Sequence, residues 1–343
     1  MDIFPKSLEA IAQALVASGK GILAADESAG TIEKRFGAVG IESTEATRRA
    51  YRNLLFTTPG VEAFISGVIL FDETMRQASD DGSPFPDFLT RRGIVPGIKV
   101  DRGTQALAGA PGEKVTEGLD GLRGRLAEYR ELGARFSKWR AVIGIGSDLP
   151  TDYAIRVNAQ AVARFAALSQ EAGLVPIVEP EVLMDGDHTV ERSFAATSRT
   201  LQAVFAELYA QGVRLEAMLL KPNMVLAGYE CPEHATHEEV ADSTIRAMRR
   251  HVPAAVRGIV FLSGGQSDED ATANLDALNR VGGQQWQLSF SFGRALQAAA
   301  LSAWADDPAN VPAAQHVFAR RAAETGAARS GTYSPQPELT PAG

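Results

Sequence analysis

Short apolar runs recur along the chain, and between them lie longer stretches whose apolar positions follow a helical period. The runs are GILAAD (21–26), ISGVILF (65–71), VPGIKVD (95–101), ARFSKWRAV (134–142), LVPIVEPEV (174–182), EAMLLKPNM (216–224), GIVFLSGG (258–265) and QLSFSFGR (287–294). Residues 151–173 show the helical pattern well. Ala154, Val157, Ala161, Val162, Phe165 and Leu168 fall close to one stripe, and Gly173 supplies a stop before the next run. Residues 193–212 read the same way. Ser267, followed by three acidic residues, reads as the cap and first turn of another helix.

Strand alternating with helix predicts parallel strands joined by right-handed crossovers. Eight strand candidates make the expected architecture an α/β fold with a closed (β/α)8 TIM barrel, a single domain over residues 1–330. An open doubly wound sheet is the alternative, but no G-x-G-x-x-G fingerprint follows the first strand. Residues 331–343, in the segment RSGTYSPQPELTPAG, have turn and disorder composition and read as a flexible C-terminal tail.

Charge interrupts this apolar scaffold at particular places. In such a barrel the strand ends and the loops after them form the active face. Asp26, Lys99, Lys138, Glu179 and Lys221 stand at or near that end of five different strands. Period-two alternation places Lys138 and Arg140 on one face with Trp139 on the other, and Glu179 with Glu181 on one face across Pro180. Each residue alone has an ordinary reading as a rim charge, an ion-pair partner or, for Asp26, a helix cap. Five together are harder to assign to packing, because buried charge is costly unless it is paired or used.

Lys221 is the most unusual, since leucines precede it and a proline follows. A free lysine has a pKa of about 10.4, so near neutral pH only a few in ten thousand are unprotonated. Burial and neighbouring cations disfavour the ammonium and raise the neutral fraction. Such an amine attacks a ketone, giving a carbinolamine and then an iminium, which draws electrons from a carbon–carbon bond one carbon further out. Neighbouring carboxylates can carry the protons. The loops after the seventh and eighth strands, FLSGGQS and FSFGRA, add an anion site. Gly264 and Gly265 allow close backbone approach, Ser263 adds a hydroxyl and Arg294 a bidentate cation. The first loop, DESAGT, offers Ser28 and Thr31, expected on the opposite side of the barrel mouth. Two anion sites flanking a lysine imply a substrate with phosphate at both ends.

Composition narrows the rest. The formal net charge of −8 argues against nucleic acid or an anionic membrane as the main partner. Cys231 is the only cysteine, so no internal disulfide forms, which fits a reducing cytoplasm. No signal sequence is visible at the start, and no apolar run approaches the ~18 residues of a membrane span. His234 and His237 could share one helix face, but no strand-end ligand accompanies them, so no catalytic metal is expected there.

Taken in order, GKGILAADES, GVILF, VPGIKVDRG, LDGL, FSKWR, VPIVEPE, LLKPNMV, FLSGGQS and FSFGRALQ closely resemble class I fructose-1,6-bisphosphate aldolases, from about Ser7 to about Tyr333. The resemblance implies a lyase of glycolysis and gluconeogenesis, usually homotetrameric, that acts on sugar phosphates without a metal or organic cofactor. It implies reversible cleavage of fructose 1,6-bisphosphate to dihydroxyacetone phosphate and glyceraldehyde 3-phosphate. In that reading Lys221 forms the Schiff base, Glu179 serves carbinolamine formation and dehydration, and Asp26 assists proton transfer around cleavage. Lys138 balances charge near the reacting carbons and Glu181 holds the set together. Ser263, Gly264, Gly265 and Arg294 bind the phosphate on carbon 1. Ser28, Thr31 and Lys99 serve the phosphate on carbon 6, with Arg140 close to that path.

The chain departs from animal members, which end in a tyrosine on a mobile tail. It ends ELTPAG, and Tyr333 matches only the start of that tail. Arg102 stands for a common lysine and Phe292 for a common tyrosine. Two other readings stay open: another Schiff-base aldolase acting on a monophosphate, or a sugar-phosphate-binding scaffold without turnover.

Overall fold

The computed structural model describes residues 7–334. Its eight parallel strands close on themselves: β1 (Gly21–Ala25), β2 (Ile65–Leu70), β3 (Val95–Lys99), β4 (Phe136–Ile143), β5 (Val175–Val182), β6 (Leu219–Leu220), β7 (Gly258–Phe261) and β8 (Gln287–Phe292). Neighbours in sequence are neighbours in the barrel, and β8 pairs with β1 through Ile22–Ser291 and Leu23–Phe292. Each apolar run of the sequence supplies one strand. β6 is much shorter than its run, because Leu215–Ala217 forms a 3-10 turn and the chain after Leu220 leaves the ladder at Lys221.

Local chemistry sets the helices as expected. The helix Asp152–Glu171 begins at Thr151, whose hydroxyl accepts the Ala154 amide, and Gly173 ends it at φ 76°. Ser267 caps Asp268–Val281 by accepting the Asp270 amide. An antiparallel hairpin, Thr104–Ala106 with Lys114–Thr116, interrupts the alternation after β3. Its strands are three residues long, too short for their alternation to register in the sequence. Within the expected tail, Tyr333 is buried and its amide donates to Asp276 Oδ1 at 2.8 Å. The remainder of that tail, 335–343, lies outside the described residues.

Inside the barrel, the side chains change character with height. In the lower part of the barrel Ile22, Ile69, Val95, Phe136, Val175, Ile177, Leu219 and Val260 form one apolar cluster. The helix Leu8–Leu15 closes it from below with Leu8, Ile11, Ala12 and Leu15. Higher up, β4 continues its inward face as Lys138 and Arg140, and β5 as Glu179 and Glu181. The register sets Arg140 opposite Glu179 and Lys138 opposite Ile177. The outward residue Trp139 packs instead on Phe165 of the helix outside, ring centroids 5.8 Å apart.

Phe136 fits the barrel floor only because β2 and β3 carry glycine beside it. A Cβ at Gly97 would stand 2.3 Å from its ring, and one at Gly67 would stand 3.2 Å from the ring and 2.6 Å from Leu15. Gly97→Ala is therefore expected to destabilise the fold by about 1–3 kcal/mol through overpacking. A thermal midpoint equal to that of the wild type would show that the floor can yield.

Candidate active site

All thirteen charged, hydroxyl and glycine positions singled out in the sequence line one cavity of ≈ 540 Å³ at the C-terminal end of the barrel. At its base four ionisable groups are in contact. Lys221 Nζ stands 3.1 Å from Glu179 Oε1, and Lys138 Nζ stands 3.2 Å from Glu179 Oε2 and 2.7 Å from Asp26 Oδ2. Lys221 is 4% exposed, and Glu179, Lys138 and Asp26 are buried as well. Two anions thus offset two cations in a place where any one alone would be costly.

Each member arrives from a different element. Asp26 follows β1 immediately, and it does not cap the next helix; Ser28 occupies the cap position there. Lys221 follows β6, its amide donating to Val178 O at 2.8 Å, which ties it to β5 beside Glu179. Lys138 and Glu179 lie within their strands, third and fifth of eight residues, so they sit inside the barrel and not at its rim. That depth explains their burial.

Burial pushes the Asp26 carboxyl upward, but Lys138, then Lys221 and Lys99, outweigh it and hold the group well below the usual carboxylate range. Glu179 is also lowered: burial opposes this, and Lys138, Lys221 and Arg140 prevail. Lys138 moves the other way. Burial disfavours its ammonium, yet Asp26, Glu179 and Asp101 raise it above the usual lysine range. Asp26, Glu179 and Lys138 therefore rest as formed charges.

Above this base the cavity is lined by cations and hydroxyls. Arg140 pairs with Glu181 through its Nε, and Lys99 Nζ contacts Asp101 Oδ1 at 3.0 Å. The loop after β7 turns at Ser263–Gln266, where the Gln266 amide donates to Ser263 O at 3.0 Å. Gly265 takes φ 77°, which favours glycine. A Cβ on Gly264 would stand 2.9 Å from Glu181 Oε1, so glycine there also leaves room for that carboxylate. Arg294 opens the helix Arg294–Trp304 after β8, and its guanidinium donates to Gln266 O at 3.2 Å.

Ser28 and Thr31, with hydroxyl oxygens 3.0 Å apart, reach the same cavity from the loop after β1. They are not opposite the glycine turn, as expected from the sequence. Closure of the barrel puts only β8 between β1 and β7. His234 and His237 do not share a helix face. The helix starts at His237, His234 precedes its Thr236 cap, and His237 Nδ1 faces Asn274 Oδ1 at 2.7 Å. Among the described residues no group of three or more His, Cys, Asp or Glu is placed to hold a metal ion.

The cavity also contains residues the sequence reading passed over. Asp101 and Ser291 could have been found by the same alternation that paired Lys138 with Arg140. Asp101 is two residues beyond Lys99, and Ser291 lies between Phe290 and Phe292. Arg35 had no such signal. It comes from the far end of the helix Ala29–Gly37 and is held by Glu27, which also pairs with Arg52 at 2.6 Å.

Comparison with known proteins agrees with this geometry. The family described as "Fructose-bisphosphate aldolase class-I" matches residues 7–342. A protein of Xanthomonas axonopodis pv. citri named "Probable fructose-bisphosphate aldolase class 1" is 56% identical over 96% of this chain and 98% of its own. The "Fructose-bisphosphate aldolase, non-muscle type" of Lethenteron camtschaticum is 52% identical over 96% of this chain and 91% of its own. A solved Plasmodium falciparum fructose-bisphosphate aldolase, in complex with TRAP and a small-molecule inhibitor, superposes with a TM-score of 0.95 at 47% identity, covering 98% of this chain and 99% of that one. A closed barrel with its charged cavity, and similarity along nearly the whole chain, lead to one assignment: the chain belongs to the class I fructose-bisphosphate aldolase family.

Proposed function

We propose that this aldolase cleaves fructose 1,6-bisphosphate through a Schiff base on Lys221, with Glu179 and Asp26 as its proton carriers. The observation that carries the reading is the contact between Lys221 Nζ and Glu179 Oε1, 3.1 Å, at the base of a cavity large enough for a sugar bisphosphate. Glu179 accepts the proton that Lys221 must lose before it attacks carbon 2 of the open-chain ketose. It returns a proton to the carbinolamine oxygen, which leaves as water, and the iminium forms. Asp26, held ionised, takes the proton of the hydroxyl on carbon 4. The bond between carbons 3 and 4 then breaks, its electron pair moving into the enamine, and glyceraldehyde 3-phosphate leaves. Protonation of carbon 3 and addition of water to the regenerated iminium release dihydroxyacetone phosphate.

Ser263, Gly264, Gly265 and Arg294 hold the phosphate on carbon 1. Ser28, Thr31, Lys99 and Arg140 serve the one on carbon 6, and Glu181 orients Arg140. Lys138 supplies the fixed positive charge that keeps Asp26 and Glu179 ionised side by side. Assembly as a homotetramer in the cytoplasm is inferred from the family resemblance, and sedimentation of the purified protein tests the assembly.

The direct test of the mechanism is reduction with borohydride in the presence of dihydroxyacetone phosphate. Lys221 is expected to carry the mass of the reduced adduct, and cleavage is expected to persist in EDTA. An adduct on another lysine, or activity removed by chelation, sinks this mechanism.

A further inference from the structure

Beside the phosphate cradle stands a tyrosine to which the reaction above gives no part. Tyr229 lies in the loop after β6, and that loop is fastened to the loop after β5 by three backbone hydrogen bonds. Gly228 donates to His188 O at 2.8 Å, Tyr229 to Met184 O at 2.9 Å and Glu230 to Gly186 O at 3.0 Å. The ring projects from this fastening toward the loop after β7. A Cβ built on Gly265 would fall 1.1 Å from the Tyr229 hydroxyl, so the hydroxyl occupies the space that a side chain at 265 would need. Tyr229 lines the cavity behind the turn together with Gly265 and Gln266, on the side away from Lys221.

We propose that Tyr229 is a positioning residue for the anion cradle: its hydroxyl buttresses the Gly265 turn, on whose Gln266 carbonyl Arg294 rests. This rests on the reading of that cradle as the site of the carbon 1 phosphate. An arginine side chain on the protein surface loses much rotational freedom when it clamps a phosphate, and this loss weakens binding. Arg294 is itself exposed. With one donor on the Gln266 carbonyl at 3.2 Å, part of that ordering is complete before substrate arrives, provided the turn that carries the carbonyl stays in place. The guanidinium has five N–H donors, so the edge facing the cavity keeps enough for bidentate contact. Gln266 is in turn fixed by Asn274, whose Nδ2 donates to Gln266 Oε1 at 2.7 Å. Tyr229 is half exposed, so removing its hydroxyl leaves the barrel core untouched.

The test compares wild type, Tyr229→Phe and Arg294→Ala on fructose 1,6-bisphosphate and on fructose 1-phosphate. Tyr229→Phe is expected to raise KM about threefold to tenfold on both sugars, the worth of the Arg294–Gln266 hydrogen bond that the turn presents, with kcat within about twofold of wild type. Arg294→Ala, with the cation gone, is expected to raise KM on both sugars by more. A KM unchanged in Tyr229→Phe but raised in Arg294→Ala refutes the role of Tyr229 alone. If Arg294→Ala also leaves KM unchanged, the assignment of the cradle itself is wrong. A Tyr229→Phe effect on kcat only, or on the bisphosphate only, also overturns the proposal, because neither follows from a loosened carbon 1 cradle.

Discussion

Lys221→Met is expected to lower kcat for fructose 1,6-bisphosphate cleavage by roughly 10⁵-fold or more, the scale of nucleophile deletions in other covalent enzymes. Methionine keeps the length and apolar stem of the side chain in a site that is only 4% exposed, so the barrel is expected to fold. Glu179 retains one cation, Lys138, at 3.2 Å. Lys221→Arg separates charge from chemistry. Its guanidinium can keep the contact with Glu179, yet it stays protonated and forms no iminium with a ketone. Both variants should give no mass adduct at position 221 after borohydride treatment with dihydroxyacetone phosphate. If Lys221→Arg cleaves at a rate near wild type, position 221 contributes only charge and the nucleophile is elsewhere.

The fold was legible from the sequence where its period was strict. Eight apolar runs gave eight strands, and caps such as Ser267 and stops such as Gly173 bounded helices as their chemistry requires. The hairpin around Thr104–Ala106 was not legible, since three-residue strands carry no usable alternation. The site was legible because a closed barrel converts strand position into spatial convergence. Residues as far apart as Asp26 and Arg294 line one cavity without any local motif joining them. What escaped were side chains delivered by helices and loops. Arg35 and Tyr229 reach the cavity or its cradle through tertiary packing, and no spacing along the chain encodes that path.

Lys138→Met is expected to damage both catalysis and the fold. Cleavage should fall by about 10²–10⁴-fold, the range for loss of a group that supports proton transfer. Stability should fall by about 3–5 kcal/mol near neutral pH, since removing one partner leaves a buried charge uncompensated. The reason is the charge count at the base of the cavity: Asp26 and Glu179 against Lys138 and Lys221. In the wild type Asp26 is held below its unfolded pKa, so its stabilising contribution is present above the ordinary carboxylate range and is lost only in strong acid. Lys138 is held above its unfolded pKa, so its contribution is complete below the ordinary lysine range and is lost only in strong base. Neither changes between about pH 5 and pH 9. Without Lys138, Lys221 stays with Glu179, and Asp26 loses the partner 2.7 Å away that most opposes its burial. Burial is then opposed by Lys221 and Lys99 alone, the Asp26 pKa moves up, and the stability that its depressed pKa supplied above the ordinary carboxylate range is reduced or reversed. Thermal unfolding at pH 4, 5.5 and 7 should therefore show the deficit of Lys138→Met growing with pH. A deficit that stays constant across those three values would mean that Lys221 and Lys99 suffice for Asp26, and that Lys138 is not what holds the two carboxylates ionised together.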